Sequence, residues 1–332
     1  MMEVPFVKMH GLGNDFIFIA HPHHLRILSA SSPTPEDHST RFGQVARVLC
    51  RRRFGVGADG LALLLPASLP RHHFRFELYN ADGSAAAMCG NALRCAAKLA
   101  WERRRQLLSA SVDEPVLVVD TPAGEMVAHL TLSECGERVA AVRVNMGRPL
   151  FARGLVPCLL RADGGSEDAP VLMAEYALAG RAFRYSSVLV GVPHTIIFVE
   201  RADDEELIGS LGPAMEKDHT LFPQGTNVGF VQVLPDNHIN YRVWERGVGP
   251  TLACGTGASA AAVVAAVLGH VDGERPVRAH LAGGDLTLRV DMSPPLGGVQ
   301  ADSPTGRAAR VERVWMEGPA EIVCEGVANI TL

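Results

Sequence analysis

Lysine is almost missing from this 332-residue chain. Lys8, Lys98 and Lys217 are the only ones, and none sits in a setting that suits a Schiff base, so a pyridoxal enzyme finds no anchor here. No CxxC occurs among the seven cysteines, which rules out the usual structural zinc spacing. Their odd number and scatter give no disulfide framework. The glycine-rich run Phe54–Gly60 has no Gly-Lys-Ser/Thr after it, so the phosphate-loop reading fails. The longest helix-like apolar run, Ala258–Leu268, is too short to span a bilayer, and the N-terminus has no signal-peptide apolar core. Excess positive charge is absent as well: the net charge is −5, so nothing electrostatic favours nucleic acid. Arg51–Arg53 and Arg103–Arg105 are short basic runs placed where helices should end, and there they complement the helix dipole. These absences lead to the expectation of a soluble, cytoplasmic protein with no metal, no cofactor and no membrane or nucleic-acid partner.

What the chain does have is apolar content of 47% against 20% charged, enough to fill a core, and a length that suits two domains. It also has a repeated arrangement. Tyr79-Asn80-Ala81-Asp82-Gly83 leads on to Met88-Cys89-Gly90-Asn91, and Trp244-Glu245-Arg246-Gly247 leads on to Ala253-Cys254-Gly255-Thr256. In each, a strand-like run ends in a polar residue, a glycine-bearing loop follows, and Cys-Gly opens an alanine-rich helix. Asn80 precedes Cys89 by nine positions, as Glu245 precedes Cys254.

The surroundings repeat too. The strand–turn–strand around Lys8–Asp15 is echoed by Val188–Val199, Gly57–Pro66 by Gly225–Pro235, and Thr121–Glu125 by Leu281–Asp285. A helix is expected from Arg41 to about Arg52 with Ser39 or Thr40 as its cap, and another from Asp203 or Asp204 toward Met215. The helix Gly255–Leu268 has no polar face and should be buried. His21–Thr40 and Asp163–Asp168 read as loops, and Ser293–Arg310 as a Pro/Gly-rich hairpin tip without a counterpart in the first half. The fold class expected is therefore α/β of the α+β type. An internal duplication gives two units of roughly 150 residues, each a mostly antiparallel sheet wrapped around one apolar helix. The expected division is 1–147, completed by 319–332, and 148–318.

A cysteine at a helix N-terminus lies beside unpaired N–H groups and partial positive charge, which favour the thiolate and lower its pKa from about 8.5. Two such cysteines facing one another would hold a ligand carboxylate between two helix starts, with a thiol on each face of its α-carbon. That arrangement suits inversion of a carbon by proton removal on one face and return on the other. Cys50, Cys95, Cys135, Cys158 and Cys324 lack the duplicated context and read as small packing residues. His194 is placed by the repeat in the turn that matches Asn14.

At these residues the sequence resembles the diaminopimelate epimerase family, over nearly the whole chain. The most specific stretches are Asn80–Ser84, Met88–Asn91, Glu245–Gly249 and Leu252–Gly257. The resemblance implies a homodimer that interconverts LL- and meso-diaminopimelate, an amino-dicarboxylate, without cofactor or metal. It implies Cys89 and Cys254 as the acid–base pair, tuned by His194 and Glu245. Substrate would be held by Asn14, Asn80, Asn91, Asn227, Glu245 and Arg246, with donors from Gly90 and from Gly255 and Thr256. This chain has Gly60 where some members carry Gln, Val192 where some carry Asn, and Pro250 where Glu is frequent. Proline racemase-like enzymes share the architecture and the two thiols but typically place His after the first Cys-Gly, where this chain has Asn91. A non-catalytic amino-acid-binding protein is the other alternative, and for it either thiol would be dispensable.

Overall fold

A computed structural model of the chain describes residues 2–20, 35–108, 112, 114–159, 166–294 and 302–332. These form two compact units: Met1–Val144 with Gly318–Leu332, and Asn145–Glu317.

In the first unit the strands β1 (Met2–Gly11) and β2 (Asn14–Ile19) form a hairpin around Leu12-Gly13. Helix α1 (Pro35–Leu49) follows, then β3 (Gly60–Leu65), β4 (Phe74–Asn80) and the short β5 (Ala85–Ala86). Helix α2 (Gly90–Glu102) and a single turn α3 (Arg104–Leu107) lead to β6 (Val116–Thr121), β7 (Gly124–Leu132) and β8 (Val139–Asn145). The strands pair β1–β2 antiparallel, β2–β3 parallel, β3–β4 antiparallel, β4–β6 parallel, then β6–β7 and β7–β8 antiparallel. The C-terminal strand Glu321–Ile330 returns to pair antiparallel with β1.

The second unit carries β9 (Ala174–Leu178), β10 (Arg181–Val190), β11 (Val192–Phe198), α4 (Glu205–Glu216), β12 (Asn227–Leu234), β13 (His238–Glu245) and β14 (Gly249–Pro250). It continues with α5 (Gly255–Leu268), β15 (Val277–Leu281), β16 (Gly284–Met292), α6 (Pro304–Arg310) and β17 (Val311–Gly318). From β10 onward the pairing senses are those of the first unit: antiparallel, parallel, antiparallel, parallel, antiparallel, antiparallel.

Each sheet closes on a helix that could not stand in water. In α5 twelve of the fourteen residues are buried, nine of them Ala or Val, and the helix packs on β10, β11, β12, β13, β15 and β16. Its small side chains let strands approach from all sides, so apolar burial rather than an amphipathic stripe holds it. In α2 every residue but Glu102 is buried, including Arg94 and Lys98. Lys98 is accommodated because its ammonium donates to the Val139 carbonyl at 2.9 Å.

Three local expectations are corrected. Helix α1 begins at Pro35, not Arg41, because proline suits the first helical turn and extends the helix back into the Pro/His-rich stretch. The 21–34 part of the expected loop lies outside the described residues, as do 160–165 and 295–301. Within Ser293–Arg310, residues 304–310 form helix α6 rather than a hairpin tip, with Ser303 accepting the Gly306 N–H at 3.1 Å and Pro304 opening the turn. His194 is not in a turn: the hairpin reverses at Gly191 (φ 71°), and His194 lies two residues into β11, in register with Asn227 on β12. Among the described residues no helix is long and apolar enough to cross a membrane.

Candidate active site

Cys89 and Cys254 each occupy the N-cap of a buried helix. Both have extended backbone (φ −140°, ψ 122° and φ −120°, ψ 105°), and neither side chain caps its helix. Their carbonyls accept the first intrahelical bonds, from Leu93 and Ala258, both at 2.9 Å. The sulfur therefore stays at the helix mouth, beside first-turn N–H groups that no intrahelical carbonyl can take. An anion drawn there meets backbone donors and the helix dipole together.

Around Cys89 a chain of side chains has a fixed polarity. Arg94, fully buried, donates through Nη1 to Asn91 Oδ1 at 3.0 Å and through Nε to the Pro319 carbonyl at 3.2 Å. A guanidinium can only donate, so the Asn91 amide must present its oxygen to Arg94 and its nitrogen outward. That nitrogen donates to Asn14 Oδ1 at 3.1 Å, and Asn14 Nδ2 donates to Asp59 Oδ2 at 2.7 Å. The carboxylate at the far end only accepts, so neither amide can flip. Asn14 Oδ1 is thereby aimed at Cys89 Sγ, which lies 3.8 Å away. The Asp59 end is clamped by Arg52, which bonds both Asp59 and Asp15, and by Lys8 on Asp15 at 2.9 Å. Burial works to raise the Asp15 pKa, but hydrogen bonds from Lys8 and Arg52 outweigh it and hold the carboxyl below its ordinary value.

The remaining residues expected on this side divide. Gly90 opens α2 and is buried. Asn80 ends β4, exposed, with its amide donating to Ser84 Oγ at 2.9 Å across a tight turn, so it is not joined to the Arg94–Asn91–Asn14 chain. At Gly60 a Cβ would stand 2.8 Å from the Tyr79 carbonyl oxygen, so a side chain there would require β4 to move. A cavity of about 850 Å³ opens nearby, lined by His38, Arg75, Glu77 and Ala85–Ala87 among others; its lining includes neither Cys89 nor Asn14.

In the second unit Cys254 Sγ lies 3.4 Å from Thr256 Oγ1, while Glu245 accepts a short hydrogen bond from Thr251. The Arg246 N–H donates to Asn227 Oδ1 at 2.8 Å, and its guanidinium reaches the Gln224 carbonyl. Glu216 holds this turn from behind, accepting from Trp244 Nε1 at 2.7 Å and from the Gly247 N–H at 2.8 Å. His194 has 0% exposure, and neither ring nitrogen has a hydrogen-bond partner among the described residues. Burial pushes its imidazole from 6.5 down to about 3, with the positive charge of Arg246 acting in the same direction. It is thus a neutral, fully buried ring, in register with Asn227 and within reach of the Arg246 charge. Thr256 and Gly255 form the first turn of α5. Among the described residues no group of three or more His, Cys, Asp or Glu is placed to hold a metal ion.

The sequence reading missed Arg94, Asp59 and Glu216. Arg94 could have been found: it is a cation in an otherwise largely apolar helix, one turn after Asn91, and such a charge is rarely buried without partners. Asp59 and Glu216 act across long sequence separations and carry no local signal.

Comparison with known proteins bears on both units. The sequence model of diaminopimelate epimerase matches residues 6–152 and 186–304. A diaminopimelate epimerase of Moorella thermoacetica is 42% identical over 321 residues, covering 97% of this chain and 98% of its own. That of Desulfitobacterium hafniense is 40% identical over 327 residues, 98% of each chain. Among solved structures, a hydroxyproline epimerase from Agrobacterium vitis aligns with a TM-score of 0.63 at 16% identity, over 98% of this chain and 92% of its own. A phenazine biosynthesis protein of the PhzF family from Bacillus anthracis aligns with a TM-score of 0.60 at 14% identity, over 99% and 100%. At such identities the two structures speak for the fold alone.

Proposed function

The chain belongs to the diaminopimelate epimerase family, and from that premise we propose that it interconverts LL- and meso-diaminopimelate by inverting one α-carbon with two thiols. The observation that carries the reading is the repeated cysteine at the N-cap, with a side chain that does not cap its own helix. Cys89 and Cys254 are the acid–base pair. One sulfur, as thiolate, takes the α-proton; the other, as thiol, delivers a proton to the opposite face, and the roles reverse with direction.

The residues around them supply the rest. First-turn N–H groups at Gly90 and Asn91 and at Gly255 and Thr256 hold the α-carboxylate and steady the charge that develops on deprotonation. Asn14 and Asn91 enter this role with their amides already oriented by Arg94 and Asp59. Asn80 joins by giving up its bond to Ser84. Asn227, Glu245 and Arg246 bind the amino-dicarboxylate, and Glu245 and the neutral His194 tune the thiols. Arginine matches a carboxylate by its planar fork. The chemistry asks for no metal or cofactor, and the family resemblance supports a cytoplasmic homodimer, which sedimentation would check.

The test is an epimerisation assay on LL-diaminopimelate beside L-proline, run in D₂O. Expected are turnover of diaminopimelate only, deuterium at the inverted carbon from the first turnovers, and loss of epimerisation in both Cys89→Ala and Cys254→Ala. Proline racemisation without diaminopimelate turnover would reject the substrate. Product that retains the substrate's own hydrogen would reject two thiols in favour of one shuttling base.

A further inference from the structure

Tyr241 lies in the middle of β13, with its side chain on the face that packs against α5. It is 1% exposed, and its hydroxyl has no hydrogen-bond partner among the described residues. A buried phenol normally finds one, because an unpaired hydroxyl keeps the whole penalty of leaving water. Two glycines make the slot it fills. A Cβ on Gly229 would stand 2.7 Å from the ring and 3.2 Å from the hydroxyl oxygen. A Cβ on Gly257, in the first turn of α5, would stand 2.0 Å from that oxygen and 3.2 Å from Cys254 Sγ. Hydroxyl and sulfur thus flank a single point at the helix mouth. The slot admits the ring only because both positions lack a side chain, and it carries the polar end of the ring to the thiol.

We propose that Tyr241 is a positioning residue for the Cys254 thiolate: its hydroxyl donates a hydrogen bond to Sγ whenever the sulfur is ionised. A thiolate accepts hydrogen bonds well and a thiol poorly. The interaction is therefore made in one protonation state of Cys254 and not in the other, which favours the base form. The proton stays on the tyrosine throughout; the sulfur takes and returns only the substrate proton. Burial, with the charges of Cys254 and Glu245 adding to it, keeps the phenol well above its ordinary pKa, so it remains a neutral donor at every working pH. Among the described residues Glu245 on β13 is the other charged group that acts on the phenol, Arg246 just after it acts on the neutral His194 of β11, and Arg307, from α6, bonds the Val267 carbonyl at the opposite end of the helix. This inference rests on the two-thiol reading only in requiring that Cys254 work as a thiolate.

The test is the pH dependence of iodoacetamide alkylation at Cys254, read by peptide mass mapping on the reduced full chain, for wild type and Tyr241→Phe. The phenylalanine ring fits the same slot and removes only the oxygen. The alkylation midpoint of Cys254 should rise by about one pH unit, a tenfold slower reaction below the midpoint, while the midpoint of Cys89 stays put. Site-specific replacement of Tyr241 by 3-fluorotyrosine, a stronger donor, should move the Cys254 midpoint the other way. An unchanged Cys254 midpoint in both variants, or equal shifts at Cys89 and Cys254, overturns the proposal. If instead Cys254→Ala kept full epimerisation, the two-thiol reading itself would fail, and the two failures are told apart.

Discussion

Acidification should weaken this protein through His194 before it weakens it through any carboxylate. In the native chain the imidazole is held neutral down to about pH 3, whereas unfolded it titrates at 6.5. Between those values the unfolded chain binds a proton that the native chain refuses, so stability falls as pH falls. Each unit of pKa difference is worth about 1.4 kcal/mol. At pH 5 the unfolded state has taken up most of its proton and the native state almost none, which comes to about 2 kcal/mol lost relative to pH 7.5. The lowered carboxyls of Asp15, Glu216 and Asp285 contribute stability that is lost only as pH falls further, through their folded-state pKa values. Urea unfolding of wild type and His194→Gln at pH 7.5 and 5.0 isolates the effect. Whatever the substitution costs in packing is present at both pH values and cancels, as do the carboxyls. Wild type should lose about 2 kcal/mol more than the variant over this interval. Equal losses in the two proteins would show that the ring takes up its proton in the native state, and the buried, neutral setting described for it would be wrong.

Two further outcomes follow from the geometry. Arg94→Met removes the donors to Asn91 Oδ1 and to the Pro319 carbonyl, and charge-assisted bonds of this kind contribute about 1.5–3 kcal/mol each; a lowered thermal midpoint is expected together with a larger fall in kcat, because Asn91 loses the donor that fixes its amide while Asp59 still holds Asn14, and a kcat that stays at the wild-type level would show that the Asn91 polarity does not matter. Gly257→Ala would ordinarily help a helix by about 1 kcal/mol, but the new methyl overlaps the Tyr241 hydroxyl, so calorimetry should find destabilisation, partly recovered in the double variant with Tyr241→Phe.

What the sequence made legible, and what it hid, follow from the range of the interactions. Helix α5 was readable because an unbroken Ala/Val run can only be buried, and Cys89 and Cys254 were readable because their contexts repeat within a dozen residues. The strand pairs were readable from apolar runs bounded by glycine. The start of α1 was misplaced because a proline-rich stretch looks like a loop until one sees that Pro35 sits where a helix tolerates it. Helix α6 was hidden in the same way behind Ser303-Pro304. His194 was assigned to a turn because the two hairpins were taken to match residue for residue, whereas one reverses over Leu12-Gly13 and the other at Gly191 alone. The amide chain from Arg94 to Asp59 joins residues from three separate stretches, and the Tyr241 slot depends on glycines from two other elements. Neither pattern has a local period to read.

The return of the last strand to β1 has a bearing on how the molecule is made. Residues 318–332 leave the ribosome after the whole of the second unit, yet they pair with β1, which is made before that unit, Met2 with Ile330 and His10 with Glu321. The second unit is contiguous and can complete its sheet during translation. The first must wait, holding an unpaired β1 edge throughout, and such an edge is a template for pairing with other chains. Nascent chains stalled short of residue 318 should therefore be the aggregation-prone species, and a chaperone that shields this edge would be needed until the second unit has been made.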